Sequence, residues 1–248
     1  MLLFGLDGRG LRVPRISKEA KQLNRRKILD TASVMFREQG TDQVGIDQIM
    51  NNVGLTRGGF YNHFESKESL IGEACRSAFT ATLDEIKQFL AQTPDTPTTL
   101  SPLERVAERY LSEYHRDVLS EACPAPAMGA DISRHTATAQ QPYAEGVQSY
   151  LQIIAALLSP QPVENARGNP DADPNDPEDP SSPTVPSGAS SIDDFRQPAL
   201  EAFASMVGAM VLARAVRTAD PALSEELLGA GRHSIAGIVS STTAAEQM

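Results

Sequence analysis

The sequence predicts an all-α protein, a small N-terminal helical domain followed by a larger helical one, and three observations lead there. With 40% apolar residues among 248, the chain can bury a sizeable core, yet tryptophan is absent and aromatics make up only 5%. That core must come mainly from Leu, Ile, Val, Ala and Met, a mixture that favours helices. Apolar residues also recur at helical spacing in one segment after another, punctuated by Gly and Pro. Finally, the charges divide unevenly: residues 1–80 hold 12 Lys/Arg against 9 Asp/Glu, net +3, and the remainder 10 against 23, net −13. A weakly basic third on an acidic body suits a small reader of a polyanion joined to a unit that avoids one.

Residues 1–18, "MLLFGLDGRGLRVPRISK", mix Gly, Pro and scattered basic residues without periodicity and are expected to form a mobile arm. Ile28, Ala32, Met35 and Phe36 then fall at i, i+4, i+7 and i+8, which predicts a helix over about 20–39 with Gly40 as its stop. Ile46, Ile49, Met50 and Val53 predict a second, short helix ended by Gly54, and Thr56 stands where it can cap a third. Ser66 opens a longer pattern through Leu70, Ala74, Ala78, Ala81, Ile86 and Leu90, up to Pro94. Residues 103–119 and 139–158 both read as helical, with the proline-containing "EACPAPAMGADIS" between them as a separator. Residues 159–191 hold 8 prolines and six acidic residues against one basic, and are expected to be disordered. Periodicity resumes at Phe195 through Leu200, Phe203, Val207, Met210 and Val211, and Pro221 precedes a last helix through Leu227, Leu228, Ile235 and Ile238. The expected domains are 19–72 and 73–248.

The stretch "LTRGGFYNHFESKESL", Leu55 to Leu70, carries the most chemistry. A helix, a tight turn and a second helix can brace one α-helix for the major groove of B-DNA. Thr56 and the free N–H groups of the first turn behind it can face a phosphate, and Arg57 offers the fork that fits guanine or phosphate. Gly58 and Gly59 each cost about 1 kcal/mol in a helix relative to Ala, which suggests a backbone that must come close to something. Phe60 and Phe64, at i and i+4, are expected to face inward and to leave Tyr61, Asn62 and His63 pointing outward. Lys67, in the first turn of the next helix, opposes that helix's dipole, a conflict that an adjacent DNA phosphate would resolve. Each residue singly also fits a loop or a solvated surface; their combination points to a DNA-binding helix-turn-helix.

Residues 25–72 resemble the DNA-binding domain of the TetR family of transcriptional regulators, through Phe36, Gly40, Ile49, Gly54, Tyr61, His63, Phe64, Lys67, Glu68 and Leu70. Met50 replaces the family's usual small residue, and Val44–Gly45 replaces the Ser/Thr that would cap the second helix. The resemblance implies a homodimeric helical repressor that binds palindromic double-stranded operator DNA through Thr56–His63 and Lys67. It also implies a C-terminal domain that dimerises, binds an unknown small molecule and then releases DNA.

Within that domain, "YHRDVLSEACPAPAMGADISRH" resembles a segment of one subgroup of the family in which the Cys lies in the ligand-binding region. Cys123, with His115, Arg116 and Tyr114, is therefore the candidate ligand or redox group, and a thiol sensor is one alternative function. A reactive thiol needs a lowered pKa and access, and Arg116, Arg134 and His115 are close to Cys123 in sequence. The other alternative is a helical scaffold that no longer binds DNA. Tyr110, Tyr114, Tyr143 and Tyr150 either line a pocket or bridge core and solvent. The 4 histidines and two cysteines, Cys75 and Cys123, lack metal-ligand spacing, and no GxSxG elbow or phosphate loop occurs. Neither a metal, a cofactor nor an enzymatic activity is expected. With no run of about 18 apolar residues and no leader pattern, the protein is expected to be cytoplasmic, without a membrane partner.

Overall fold

The computed structural model describes residues 17–93, 97–159 and 192–246, and all regular structure among them is helical. The expected arm, apart from its last two residues, and the expected disordered stretch, apart from Ser159, lie outside the described residues. Helix α1, Lys18–Gln39, starts where the Ser17 hydroxyl accepts from the Ala20 N–H at 3.1 Å. Helix α2 is Ile46–Asn52, α3 is Arg57–Phe60 and α4 is Lys67–Ala91. The stops between them are Gly40 at φ +87° and Gly54 at φ +70°, both in the region that side chains with a Cβ avoid. Ile28, Phe36, Ile49, Met50, Phe60 and Leu70, all at 0% exposure, close these helices around one apolar core. Met50 is fully buried in that core. Gly45 precedes α2 without a side-chain cap.

The larger region follows as α5 (Pro102–Tyr110), α6 (Glu113–Asp117), a 3₁₀ turn (Leu119–Glu121), α7 (Pro124–Ile132), α8 (Ala137–Leu158), a 3₁₀ turn (Ile192–Phe195), α9 (Arg196–Val216) and α10 (Pro221–Glu246). Two sequence expectations change here. The helix expected over 103–119 breaks after Tyr110, because Leu111 turns into the core and Ser112 caps α6, accepting from the His115 N–H at 3.2 Å. The proline-containing separator is itself helix α7: Pro124 occupies the first helical position, where a missing N–H costs nothing.

Helices α4 and α8 cross closely. A Cβ on Gly146 would stand 2.3 Å from the Phe79 ring, and one on Gly72 would stand 2.7 Å from the Thr138 carbonyl. The N-terminal core reaches into the larger region, taking in Met128, Ile132 and Ala139 from α7 and α8. The expected boundary at residue 72 therefore falls inside one continuous helix, α4, and inside one shared core.

The stripe expected along α9 splits between two faces. Met210 is fully buried and Phe203 stacks on Tyr150, 5.5 Å between centroids, while Val211 is 42% exposed. The outward face instead runs Leu200, Ala204, Gly208, Val211, Ala215, with Leu212 beside it and the exposed Glu201 at its edge. By length and composition, α9 is the one helix among the described residues apolar enough to cross a membrane, yet only 28% of its most apolar stretch is buried.

Candidate functional site

Two places hold the chemistry, one on the outer surface of the small domain and one inside the large one. On the surface, α3 is a single turn braced from below by Phe60 and Phe64, whose rings stack at 5.6 Å. Thr56, Arg57, Gly58, Tyr61 and Asn62 are exposed, Tyr61 at 60%, while Gly59 and Lys67 are half-buried. Thr56 precedes the first helical residue as expected, although its hydroxyl makes no capping hydrogen bond and is left for another partner. A Cβ added to Gly58 would meet open space, so no contact among the described residues demands a glycine there. Arg57 reaches back to Asp47 on α2, Nη1 to Oδ2 at 2.6 Å, an exposed pair of small intrinsic worth.

His63 departs from the outward orientation expected of it. It is half-buried, its Nδ1 is buried without a hydrogen-bond partner, and desolvation with Lys21 and Arg25 nearby holds its pKa below the usual value. Arg25 itself lies over the Phe64 ring and pairs with Glu73. His63 thus supports the floor of the surface more than it decorates it.

In the large domain, α4, α5, α6 and the turn at Leu119–Glu121 border a solvent-open cavity of about 440 Å³, within the range of small-molecule sites, roughly 300–1,000 Å³. Thr82, Glu85, Ile86 and Phe89 of α4 face Val106, Arg109 and Tyr110 of α5 across it, with Tyr114, His115 and Glu121 at one side. Ile86, Val106 and Tyr110 also border a small crevice of about 20 Å³ against Tyr150, Ile153, Ile154, Leu157, Phe203 and Met206. Of the candidate ligand residues, His115 and Tyr114 line the cavity. Arg116 does not: it turns away to Asp117 at 2.8 Å and to the Ser224 hydroxyl at 3.0 Å.

Cys123 lies behind the cavity, at 0% exposure. Complete burial pushes its pKa up, its Sγ is turned to the Tyr150 hydroxyl at 3.4 Å, and its N–H donates to His115 Nε2 at 3.3 Å. Arg134 pairs with Asp131 and Asp42 instead of approaching the thiol. These are the surroundings of an inert thiol, the reverse of what a thiolate sensor requires. Burial also drives the His115 pKa down to about 4, helped by Arg214 and Arg109, so the ring is neutral near pH 7.

The two places are physically joined. Helix α4 carries Lys67 at one end and Thr82, Glu85, Ile86 and Phe89 towards the other. Arg37 of α1 donates to the Ala122 carbonyl at 3.0 Å, beside the cavity wall. His135 bridges Glu68 of α4, 2.7 Å from Nδ1, and Thr41 beyond α1, 2.8 Å from Nε2; the Thr41 N–H donates to Asp131 at 2.8 Å.

Sequence reasoning missed the cavity's α4 and α5 residues, Tyr110 excepted. Their spacing, 82, 85, 86, 89 against 106, 109, 110, marks two helix faces that meet, but spacing cannot distinguish a filled seam from an open one. Among the described residues, no group of three metal-ligating side chains occurs.

Residues 28–74 match the family model "Bacterial regulatory proteins, tetR family". The uncharacterised HTH-type transcriptional regulator YvdT of Bacillus subtilis is 36% identical over 94 residues, 38% of this chain and 47% of that protein. The HTH-type transcriptional repressor KstR2 of Rhodococcus jostii is 27% identical over 105 residues, 42% of this chain and 52% of that one. The matched stretch thus spans about half the length of these curated relatives. The crystal structure of a TetR-family regulator from Cytophaga hutchinsonii superposes with a TM-score of 0.61 at 17% identity, over 90% of this chain and 98% of that one, a likeness of fold.

Proposed function

Because this chain carries the DNA-binding domain of the TetR family of regulators, we propose that it is a cytoplasmic transcriptional repressor that releases a palindromic operator when a small molecule enters its C-terminal domain. The observation that carries the reading is α3: a single exposed turn with Arg57 and Tyr61 directed outward over a closed apolar core, and Lys67 alongside. That is the form of a surface that reads DNA from outside, with side chains for base edges and a cation for phosphate. The kinship with KstR2, a repressor, supports the sign of regulation.

The homodimer is part of the proposal. The outward face of α9, apolar but for Glu201 at its edge, exposes Leu200, Val211 and Leu212, and Leu223 of α10 is 40% exposed, apolar surface that a partner would cover. Pairing two copies about a two-fold axis would cover it and set two α3 helices for the two half-sites of a palindrome. A ligand in the cavity acts on the same helix, α4, that presents Lys67. By thermodynamic reciprocity operator DNA then weakens ligand binding by the factor that ligand weakens DNA binding, typically about 5–150-fold.

The test is fluorescence anisotropy at fixed salt with DNA from the gene's own upstream region. Arg57→Ala, Tyr61→Ala and Lys67→Ala should each weaken binding by roughly 1–3 kcal/mol while the melting temperature holds. Wild-type affinity in all three rejects the assignment, and a monomer mass by light scattering at micromolar concentration rejects the dimer.

A further inference from the structure

One short corner of the large domain holds the small domain at two separate points. Between the end of α7 and the start of α8, residues 131–136 carry Asp131, Arg134, His135 and Thr136. The corner is itself braced: the Gln140 side chain donates to the His135 carbonyl at 2.8 Å, and the His135 N–H donates to the Ile132 carbonyl at 3.0 Å. Its first hold is on the opening turn of α4. There Glu68 accepts the His135 Nδ1–H on Oε1 at 2.7 Å, and the Thr136 hydroxyl and N–H on Oε2 at 2.9 and 3.3 Å. Burial alone would raise the Glu68 pKa; these hydrogen bonds outweigh it and hold the pKa below its usual value, so the group is a carboxylate near pH 7.

The second hold is on the loop between α1 and α2. Thr41, at 0% exposure, donates its N–H to Asp131 Oδ2 at 2.8 Å and sets its hydroxyl 2.8 Å from His135 Nε2. Gly40 lies so close that a Cβ on it would stand 2.8 Å from the same Asp131 oxygen. Arg134 and Asp42 pair across the seam at 3.6 Å. Within the corner, His135 alone reaches both holds, Nδ1 to α4 and Nε2 to the loop, and its side chain is only 9% exposed.

A domain attached through one helix can pivot about that helix, and a second attachment elsewhere on the domain removes the pivot. Helix α4 is the first attachment, packed on α8 where Gly72 and Gly146 allow close approach. The Thr41 loop is the second: it follows α1 and leads into α2, which packs beside α3. We infer that His135 is a positioning residue for operator recognition: by tying the Thr41 loop and the first turn of α4 to one corner, it fixes the angle at which α3 and Lys67 are presented, and so the separation of the two α3 helices in a dimer. The inference rests on the operator-binding reading above. Two rigidly held reading heads engage both half-sites only at the matching spacing, whereas loosely held heads tolerate neighbouring spacings and bind the matching one less tightly.

Fluorescence anisotropy of the full chain on three duplexes tests this: the operator mapped in the gene's upstream region, the same operator with one base pair added between its half-sites, and a single half-site. The added base pair turns one half-site by roughly 35° and moves it by about 3.4 Å. The wild type should prefer the unaltered spacing by about tenfold or more. His135→Ala should bring the two spacings within about threefold of each other through weaker binding of the unaltered operator, with half-site affinity held within about twofold. A variant that is merely less well folded has a smaller active fraction, which scales all three affinities alike and leaves their ratios as they were. Thr41→Val keeps the shape and the N–H but removes the hydroxyl, and should move the spacing ratio in the same direction; Thr41→Ser keeps the hydroxyl and should leave the ratio at the wild-type value. A wild type indifferent to spacing, a wild-type ratio in His135→Ala, tighter operator binding by that variant, or a half-site loss as large as the operator loss overturns the inference and leaves the regulator. Failure of the wild type to bind any of the three sinks the regulator reading and this inference with it.

Discussion

The small domain and the cavity of the large one solve opposite problems with the same material, helices joined by short turns. Around α3 the core is closed, with Phe36, Phe60, Ile49 and Met50 at 0% exposure, and the polar side chains of interest stand outside it. Around the cavity, Glu85, Arg109, Tyr114 and Glu121 reach solvent, while the Tyr110 hydroxyl, set against the Cys123 thiol, and Arg214 Nη1, without a partner among the described residues, are buried behind its wall. A surface for a large, rigid partner can be built outside a packed core, here at the cost of one buried group, His63 Nδ1, without a partner among the described residues. Behind the wall of a small-molecule site, too, each buried group without a partner lowers the stability of the empty protein.

The largest effect that could break this comparison concerns the wall between the regions. Gly146→Val places atoms where a Cβ already meets Phe79 at 2.3 Å and should cost about 3 kcal/mol, seen as a lower urea midpoint. An unchanged midpoint would mean that α4 and α8 are not locked together, and that α4 is a poor messenger.

Next in size is a pH effect. With the His115 pKa at about 4 in the folded chain, protons bind the unfolded chain preferentially between its ordinary value, about 6.5, and 4. The stability carried by the neutral ring is therefore full above pH 6.5 and is lost as pH falls towards 4, by up to about 3 kcal/mol. Denaturant titrations at several pH values should show this loss in the wild type and a flatter profile in His115→Gln. Identical profiles would place the imidazole in water and dissolve the contrast.

A smaller effect sharpens the comparison. Tyr110→Phe should change the stability of the ligand-free protein by no more than about 1 kcal/mol, because the buried hydroxyl it deletes faces only the Cys123 thiol, a weak partner. The smallest is Tyr114→Phe, on an exposed ring held only by Glu121, which should stay within about 0.5 kcal/mol of wild type. Calorimetric melting of the pair compares a buried hydroxyl with a surface one. A Tyr110→Phe destabilisation well beyond about 1 kcal/mol would show that the hydroxyl is firmly hydrogen-bonded in the folded chain.

Legibility in the sequence differed between the regions for the same physical reason. Near α3, the signals are local: a Ser66 cap, glycine stops at 40 and 54, and Phe60 and Phe64 one turn apart are read within a few residues and reappear in the structure. The exception, His63, was decided by Lys21, Arg25 and the packing of α1, some forty residues away. In the large domain, nearness in sequence misled. Arg116 and Arg134 follow Cys123 closely along the chain but find Asp117, Ser224, Asp131 and Asp42 instead. The prolines of α7, taken as breakers, sit where a helix start tolerates them.

By itself, then, the sequence determined the helices, the helix-turn-helix with its outward residues and the absence of an evident catalytic motif, because capping, periodicity and turn chemistry act over one or two turns of chain. The packing of α4 against α5 and α6 decided that a cavity of about 440 Å³ exists, that Arg214 leaves its Nη1 without a partner behind it among the described residues, that Cys123 is sealed away, and that α9 divides its apolar residues between core and surface. Those properties depend on which groups meet from segments tens of residues apart, and burial, charge compensation and empty volume have no values until the segments have met.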